Sequence, residues 1–185
     1  MIDDVVNELK DGVEKSLDAL RRELAKVRTG RAHPSILDRI RVDYYGVPTP
    51  IAQMANVGVP DGSLLTVKPW EKNQVSAIDR AIRDSDLGLN PQVDGDLLRI
   101  PIPPLTEERR KEMVKITKRC GEDAKIAVRK HRRDALDMLG ELVKDGEVSE
   151  DDGARGEKKI EDVIADASKK VDQFVTDRES QIMGG

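Results

Sequence analysis

The stretch TEERRKEMVKITKRCGEDAKIAVRKHRR, Thr106–Arg133, decides how this chain folds. Lys111, Lys115, Lys118, Glu122, Lys125, Arg129 and Arg132 follow one another by three or four residues, the step that returns a side chain to the same face of a helix. Met113, Thr117, Cys120, Ala124, Ala127 and His131 repeat two residues later, about 200° around, and make a small or apolar face. One side of this helix is therefore expected to pack on a core and the other to present a cationic strip. The stretch carries eleven Lys/Arg against five Asp/Glu within a chain of net charge −4. A solvated helix usually interleaves acids with its bases, whereas this face holds one Glu among six bases, so it is read as a surface for a polyanion.

Working outward, the periodicity continues through Ala135, Met138, Leu139 and Leu142 and ends near Asp145-Gly146, a rod of about 60 Å. Thr106, followed by Glu107 and Glu108, suits its N-terminus. Upstream, Val6, Leu9, Val13, Leu17, Leu20, Leu24 and Val27 form a seam predicting a helix over residues 3–28, closed by Gly30. Downstream, Ser149 with three acids behind it opens a third helix. Its seam is Ile160, Val163, Ile164, Ala167, Val171, Phe174 and Val175, and Gly153 and Gly156 are expected to loosen its start. Three long single-seamed helices bury their seams best against one another, which predicts an elongated three-helix bundle.

Residues 30–104 read differently. The prolines fall here, from Pro34 to Pro104, and short alternating runs (Ile40, Val42, Tyr44; Leu65, Val67; Leu98, Ile100, Ile102) are separated by turn signals. A short helix fits residues 73–84, with Val75, Ile78, Ala81 and Ile82 inward. The expected fold class is α+β: a bundle from residues 1–29 and 105–185 with a small β/α/β domain, residues 30–104, inserted in it. The chain leaves the bundle through Arg28, Thr29, Gly30 and Arg31 and returns through Pro101, Pro103 and Pro104. Two short linkers side by side are expected to form a hinge and to give an L-shaped outline.

Composition narrows the function. Charged residues make up 37% of the chain and aromatics 2%, namely Tyr44, Tyr45, Trp70 and Phe174. No apolar run is long enough to span a bilayer, the N-terminus has no signal-peptide pattern, and the single Cys120 fits a reducing compartment, so a cytoplasmic protein is expected. His33, His131 and Cys120 lack ligand spacing for a metal, and no catalytic constellation or phosphate loop is present; neither enzyme chemistry nor a cofactor is expected. His131 and Cys120 read as core or boundary residues, and Trp70 as buried at the edge of the small domain. No base-reading motif occurs, so contact with nucleic acid would be to phosphate and shape. Arg28 and Arg31 suit helix-end chemistry as well as they suit ligand contact.

Five motifs, in order along the whole chain, carry a resemblance: Arg28-Thr29-Gly30-Arg31-Ala32; Tyr44-Tyr45-Gly46 with Pro48-Thr49-Pro50; Ser85-Asp86-Leu87-Gly88-Leu89-Asn90-Pro91; Pro103-Pro104-Leu105-Thr106-Glu107-Glu108-Arg109-Arg110-Lys111; and Val128-Arg129-Lys130-His131-Arg132-Arg133-Asp134. Together they resemble bacterial ribosome recycling factor. The resemblance implies a tRNA-like L that binds in the intersubunit space of the post-termination ribosome, bundle against 23S rRNA. It implies that elongation factor G and GTP then split the subunits and release mRNA and tRNA. It assigns rRNA contact to Arg110, Arg129 and Arg132, with Arg133 by adjacency, and a hinge-side role to Arg28 and Arg31. Lys111, Lys115, Lys118 and Lys125 join the rRNA set from the charge pattern. A monomer is expected, with no membrane partner. A coiled-coil scaffold would account for the seams alone, and a general RNA-binding protein for the cationic face alone. His131 departs from the apolar residue expected at its seam position.

Overall fold

The computed structural model describes residues 1–184. The chain forms two compact units, one from Met1–Thr29 together with the segment from Glu107 onward, the other Gly30–Thr106. The first unit consists of α1 (Ile2–Ala25) and, after the second unit, α3 (Glu107–Lys144) and α4 (Glu150–Ile182). The second contains β1 (Arg41–Tyr44), β2 (Val47–Pro50), β3 (Ala55–Asp61), β4 (Leu64–Pro69), α2 (Val75–Arg83), β5 (Gln92–Asp94) and β6 (Leu97–Pro101).

In the helical unit the seams meet as their spacing requires. Leu9, Val13, Leu17, Leu20 and Leu24 of α1 close on Ala124, Val128 and Leu139 of α3 and on Ile160, Ala167 and Val171 of α4. The ends are chemically marked. Gly146, at φ 76, where glycine is free of Cβ strain, closes α3 with Gly146 N–H on Val143 O and Glu147 N–H on Leu142 O. The Ser149 hydroxyl then caps α4 by accepting from Asp152 N–H at 3.1 Å.

Three sequence expectations are corrected here. First, α1 ends at Ala25, a turn short of Arg28. Lys26 and Val27 tighten onto Glu23 and Leu24 carbonyls, and the Arg178 guanidinium of α4 donates to Val27 O at 2.6 Å. The exposed carbonyls thus find donors without further helix. Second, α4 runs unbroken through Gly153 and Gly156. Both are buried at helix crossings: a Cβ on Gly153 would meet Val143 Cγ2 at 2.6 Å, and one on Gly156 would meet Ile2 Cγ2 and Leu139 Cδ2 at 3.1 Å. Close packing there offsets the propensity cost of about 1 kcal/mol per glycine. Third, Trp70 is exposed, with 61% of its surface accessible.

In the second unit a four-stranded antiparallel sheet runs β3-β4-β6-β5, and β1 pairs with β2 as a separate hairpin. Alternation places Leu65, Val67, Leu98 and Ile100 inward, where Ile78 and Ile82 of α2 and Val42 of β1 complete the core. Strands β2, β3 and β5 lack that alternation, and periodicity did not reveal them. β3 and β5 are sheet edges, and β2 carries Pro48 and Pro50, tolerated only where a ladder donor can be spared. Tyr45 (φ 50) and Gly46 (φ 83) turn the hairpin with both central residues left-handed, the type I′ arrangement.

Candidate nucleic-acid interface

The core side of α3 is Met113, Thr117, Gly121, Ala124, Val128, Ala135 and Leu139. That stripe is rotated from the predicted Cys120–Ala127–His131 line toward the strip of bases. The reason is the close approach of α4: a Cβ on Gly121 would sit 2.6 Å from Val175 Cγ2, so the glycine, and not Cys120, faces the crossing. Cys120 is half-buried and its thiol is pushed up, chiefly by burial. Thr117 is wholly buried and its hydroxyl donates to Met113 O at 2.8 Å. His131 is half-buried, with Nε2 3.0 Å from Ser16 Oγ of α1.

The rotation splits the strip in two. Lys125 and Arg132 fall on its core-side edge and reach α4. Lys125 Nζ lies 2.7 Å from Asp172 Oδ1, and Arg132 donates from Nε (2.9 Å) and Nη2 (2.6 Å) to Glu161 Oε1. That pairing holds the Arg132 guanidinium charged more firmly than usual, first through the hydrogen bond and then through the carboxylate's charge. Lys111 is exposed and sits 3.7 Å from Glu107, a loose pair in water. Lys115 and Lys118 are exposed and Arg110 half-buried, with no ion pair among the described residues.

The other part of the strip is concentrated. Arg129, Lys130 and Arg133, with the exposed Ile126, line a shallow recess of about 390 Å³. None of the three cations has an ion-pair partner among the described residues. Like charges one turn apart repel, so this cluster gives the bundle no stability of its own. It offers three long donors around an apolar spot, a geometry that suits phosphate oxygens flanking a sugar or base face. Lys130 was absent from the sequence-derived set because strict steps of three and four pass over it. Its signal was the spacing of four from Ile126, an exposed apolar residue with no core to join.

Among the described residues no group of His, Cys, Asp and Glu could hold a metal ion. No helix among the described residues is long and apolar enough to cross a membrane. His33 serves as the cap of a short 3-10 turn, its Nδ1 accepting from Ser35 N–H at 3.1 Å.

The linker residues are placed as follows. Arg28 and Arg31 are exposed, and Gly30 adopts φ 73, where a Cβ would meet Leu105 N and Cγ at 3.1 Å. Pro101 closes β6 opposite Leu64, and Ile102 N–H bonds Ser63 O at 2.8 Å, while Ala32 N–H bonds Gly62 O at 2.8 Å. Pro103 and Pro104 follow beyond that tie, and Thr29 precedes it.

The family model described as ribosome recycling factor matches residues 20–183. The chain belongs to the ribosome recycling factor family. A ribosome-recycling factor of Sorangium cellulosum is 63% identical over 183 residues, covering 99% of each chain. The solution structure of a ribosome recycling factor matches all of this chain and 98% of its own at a TM-score of 0.76 and 33% identity. A further match, complete for both chains at a TM-score of 0.67 and 43% identity, comes from models for the T. thermophilus ribosome recycling factor and the E. coli elongation factor G bound to the E. coli post-termination complex. Family membership puts the chain among translation factors, and the α+β fold of helical unit and small sheet unit is that of its solved relatives.

Proposed function

We propose that this chain recycles ribosomes: it binds the post-termination ribosome in the intersubunit space and, with elongation factor G and GTP, splits it into subunits and releases mRNA and tRNA. The observation that carries the reading is the unneutralised Arg129–Lys130–Arg133 cluster on α3 in a chain of this family. Cations left without partners in the free protein are available to displace counterions from 23S rRNA, and each phosphate contact adds about 0.7–0.9 to the salt exponent of binding. Arg110, Lys111, Lys115 and Lys118 extend the same surface. Lys125 and Arg132 join it by exchanging Asp172 and Glu161 for phosphate.

The chain acts as a monomer in the cytoplasm, where ribosomes are, and catalyses no bond change itself. The work comes from the partner's GTP. Arg28, Thr29, Gly30 and Arg31, with Pro101, Pro103 and Pro104, form the hinge through which one unit moves while the other stays bound. Light scattering of purified post-termination ribosomes mixed with the protein, elongation factor G and GTP, each omitted in turn, tests the whole reading. A fall that needs all three supports it. Co-sedimentation with ribosomes without any fall leaves a ribosome binder, and equal affinity for unrelated duplex RNA leaves a general RNA-binding protein.

A further inference from the structure

The chain has four aromatic residues; two of them, Tyr44 and Tyr45, converge on one carboxylate of the sheet unit, and a third, Trp70, precedes that carboxylate in the chain. Glu71 accepts from both tyrosines of the β1–β2 hairpin: Tyr44 Oη donates to Oε1 at 2.7 Å and Tyr45 Oη to Oε2 at 2.9 Å. The two rings meet edge to face with centroids 4.7 Å apart. Trp70, adjacent to Glu71 in the chain, is 61% exposed, and Tyr45 is 68% exposed. Val47, exposed as well, pairs with Tyr44 in the hairpin register.

Folding does not account for this arrangement. Aromatic side chains are the largest source of burial energy, yet two of the three remain in water while the core of this unit is built of aliphatic residues. Tyr45 is also the one non-glycine residue with positive φ among those described, held so by the type I′ turn at the tip of the hairpin. Glu71 carries a charge that no lysine or arginine pairs with among the described residues, although Lys68 and Lys72 stand close by in the chain. Two phenol donors use two of its four lone-pair directions, and two stay open.

We propose that this patch is a docking surface for a protein segment that presents an arginine, its guanidinium seated on the Glu71 carboxylate and against the exposed aromatic surface of Tyr45. The chemistry selects that occupant. A planar guanidinium donates two hydrogen bonds to one carboxylate and stacks on aromatic faces, which a lysine ammonium does less well. A nucleic-acid backbone is disfavoured, because its phosphates would meet an uncompensated carboxylate. Tyr44 fixes the carboxylate from the buried side, so the seat is ordered before the partner arrives. This surface is separate from the cations of α3, and its test does not depend on ribosome binding.

The Tyr45 ring resonances report on this patch, and Trp70, next to Glu71 in the chain and the only tryptophan, adds a single indole N–H signal. The full chain is titrated with acetyl-Gly-Arg-Gly-amide, and in parallel with the same peptide bearing citrulline, the neutral isostere. The arginine peptide should shift the Trp70 indole and Tyr45 ring signals and saturate in the millimolar range, about tenfold more tightly than the citrulline peptide. Glu71→Gln, which keeps an acceptor for the tyrosines, should abolish that preference while the α2 amide signals stay in place. Trp70→Ala, followed through Tyr45, should keep the preference, because the seat is Glu71 and Tyr45. Equal shifts from the two peptides, a preference that survives Glu71→Gln, or no shift up to about 20 mM would each overturn the proposal.

Discussion

Gly12 of α1 faces His131 of α3 so closely that a Cβ on the glycine would stand 2.8 Å from His131 Nδ1. A polar ring replaces the expected apolar seam residue, and the opposite helix gives up its side chain to admit it. Ser16, one turn on, supplies the hydroxyl that meets Nε2. In isolation Gly12→Ala would favour α1 by about 1 kcal/mol through helix propensity. In the bundle the clash should outweigh that gain, for a net loss of about 1 kcal/mol. In a His131→Ala background the same substitution should stabilise. Urea denaturation of the four proteins of this cycle checks it, and additive effects would show that the two residues do not share the space.

Replacing Arg129, Lys130 and Arg133 together by glutamine should lower the salt exponent of ribosome binding by about 2–3, since each lost phosphate contact removes about 0.7–0.9. The thermal midpoint of the free protein should hold or rise, because the substitution relieves repulsion and breaks no ion pair. Sedimentation of ribosome complexes across a salt series measures the exponent. An unchanged exponent would remove this cluster from the interface.

Glu161→Gln separates the two tasks of Arg132. The carboxylate of Glu161 holds the guanidinium on α4, where both Nε and Nη2 donate to a single oxygen. Neutralising it should leave thermal stability nearly unchanged, since both side chains remain more than two-fifths exposed (44% and 43%) and exposed pairs contribute little. Ribosome affinity should rise at low salt as Arg132 becomes free to meet phosphate. A fall in affinity, with the fold intact by circular dichroism, would mean that the pair itself positions Arg132 for binding.

Gly30 sits at φ 73 with Leu105 against its Cα. Proline, locked near φ −65°, cannot take that conformation, so Gly30→Pro must reroute the linker. Subunit splitting should fall much more than ribosome binding, read by light scattering and co-sedimentation on the same samples. Equal loss of both would argue that the linker serves binding and not movement. Gly30→Ala, which strains the backbone less, should give an intermediate defect.

The sequence by itself determined the helices, their seams and the inserted sheet segment, because apolar spacing of three to four or of two is a local property. Val13, Leu17, Ile160 and Val171 had no other way to leave water, and Leu65, Val67, Leu98 and Ile100 could only line one side of a sheet. The Ser149 cap and the Asp145-Gly146 stop were legible for the same reason. The motifs that mark the family were likewise readable in order along the chain.

Only the tertiary structure decided which bases of α3 are free. Rotation of the buried stripe depends on how near α4 approaches, and that distance is set by Gly121, Gly153 and Gly156 meeting Val175, Val143 and Leu139 on other helices. Those contacts turn Lys125 and Arg132 onto Asp172 and Glu161 and leave Arg129, Lys130 and Arg133 in the open. The meeting of Tyr44 and Tyr45 on Glu71 is of the same kind, since it joins a hairpin to a segment 26 residues away, as measured from Tyr45. Helical period places side chains around one axis; the side-chain volumes on neighbouring elements decide which of them meet water and which meet each other.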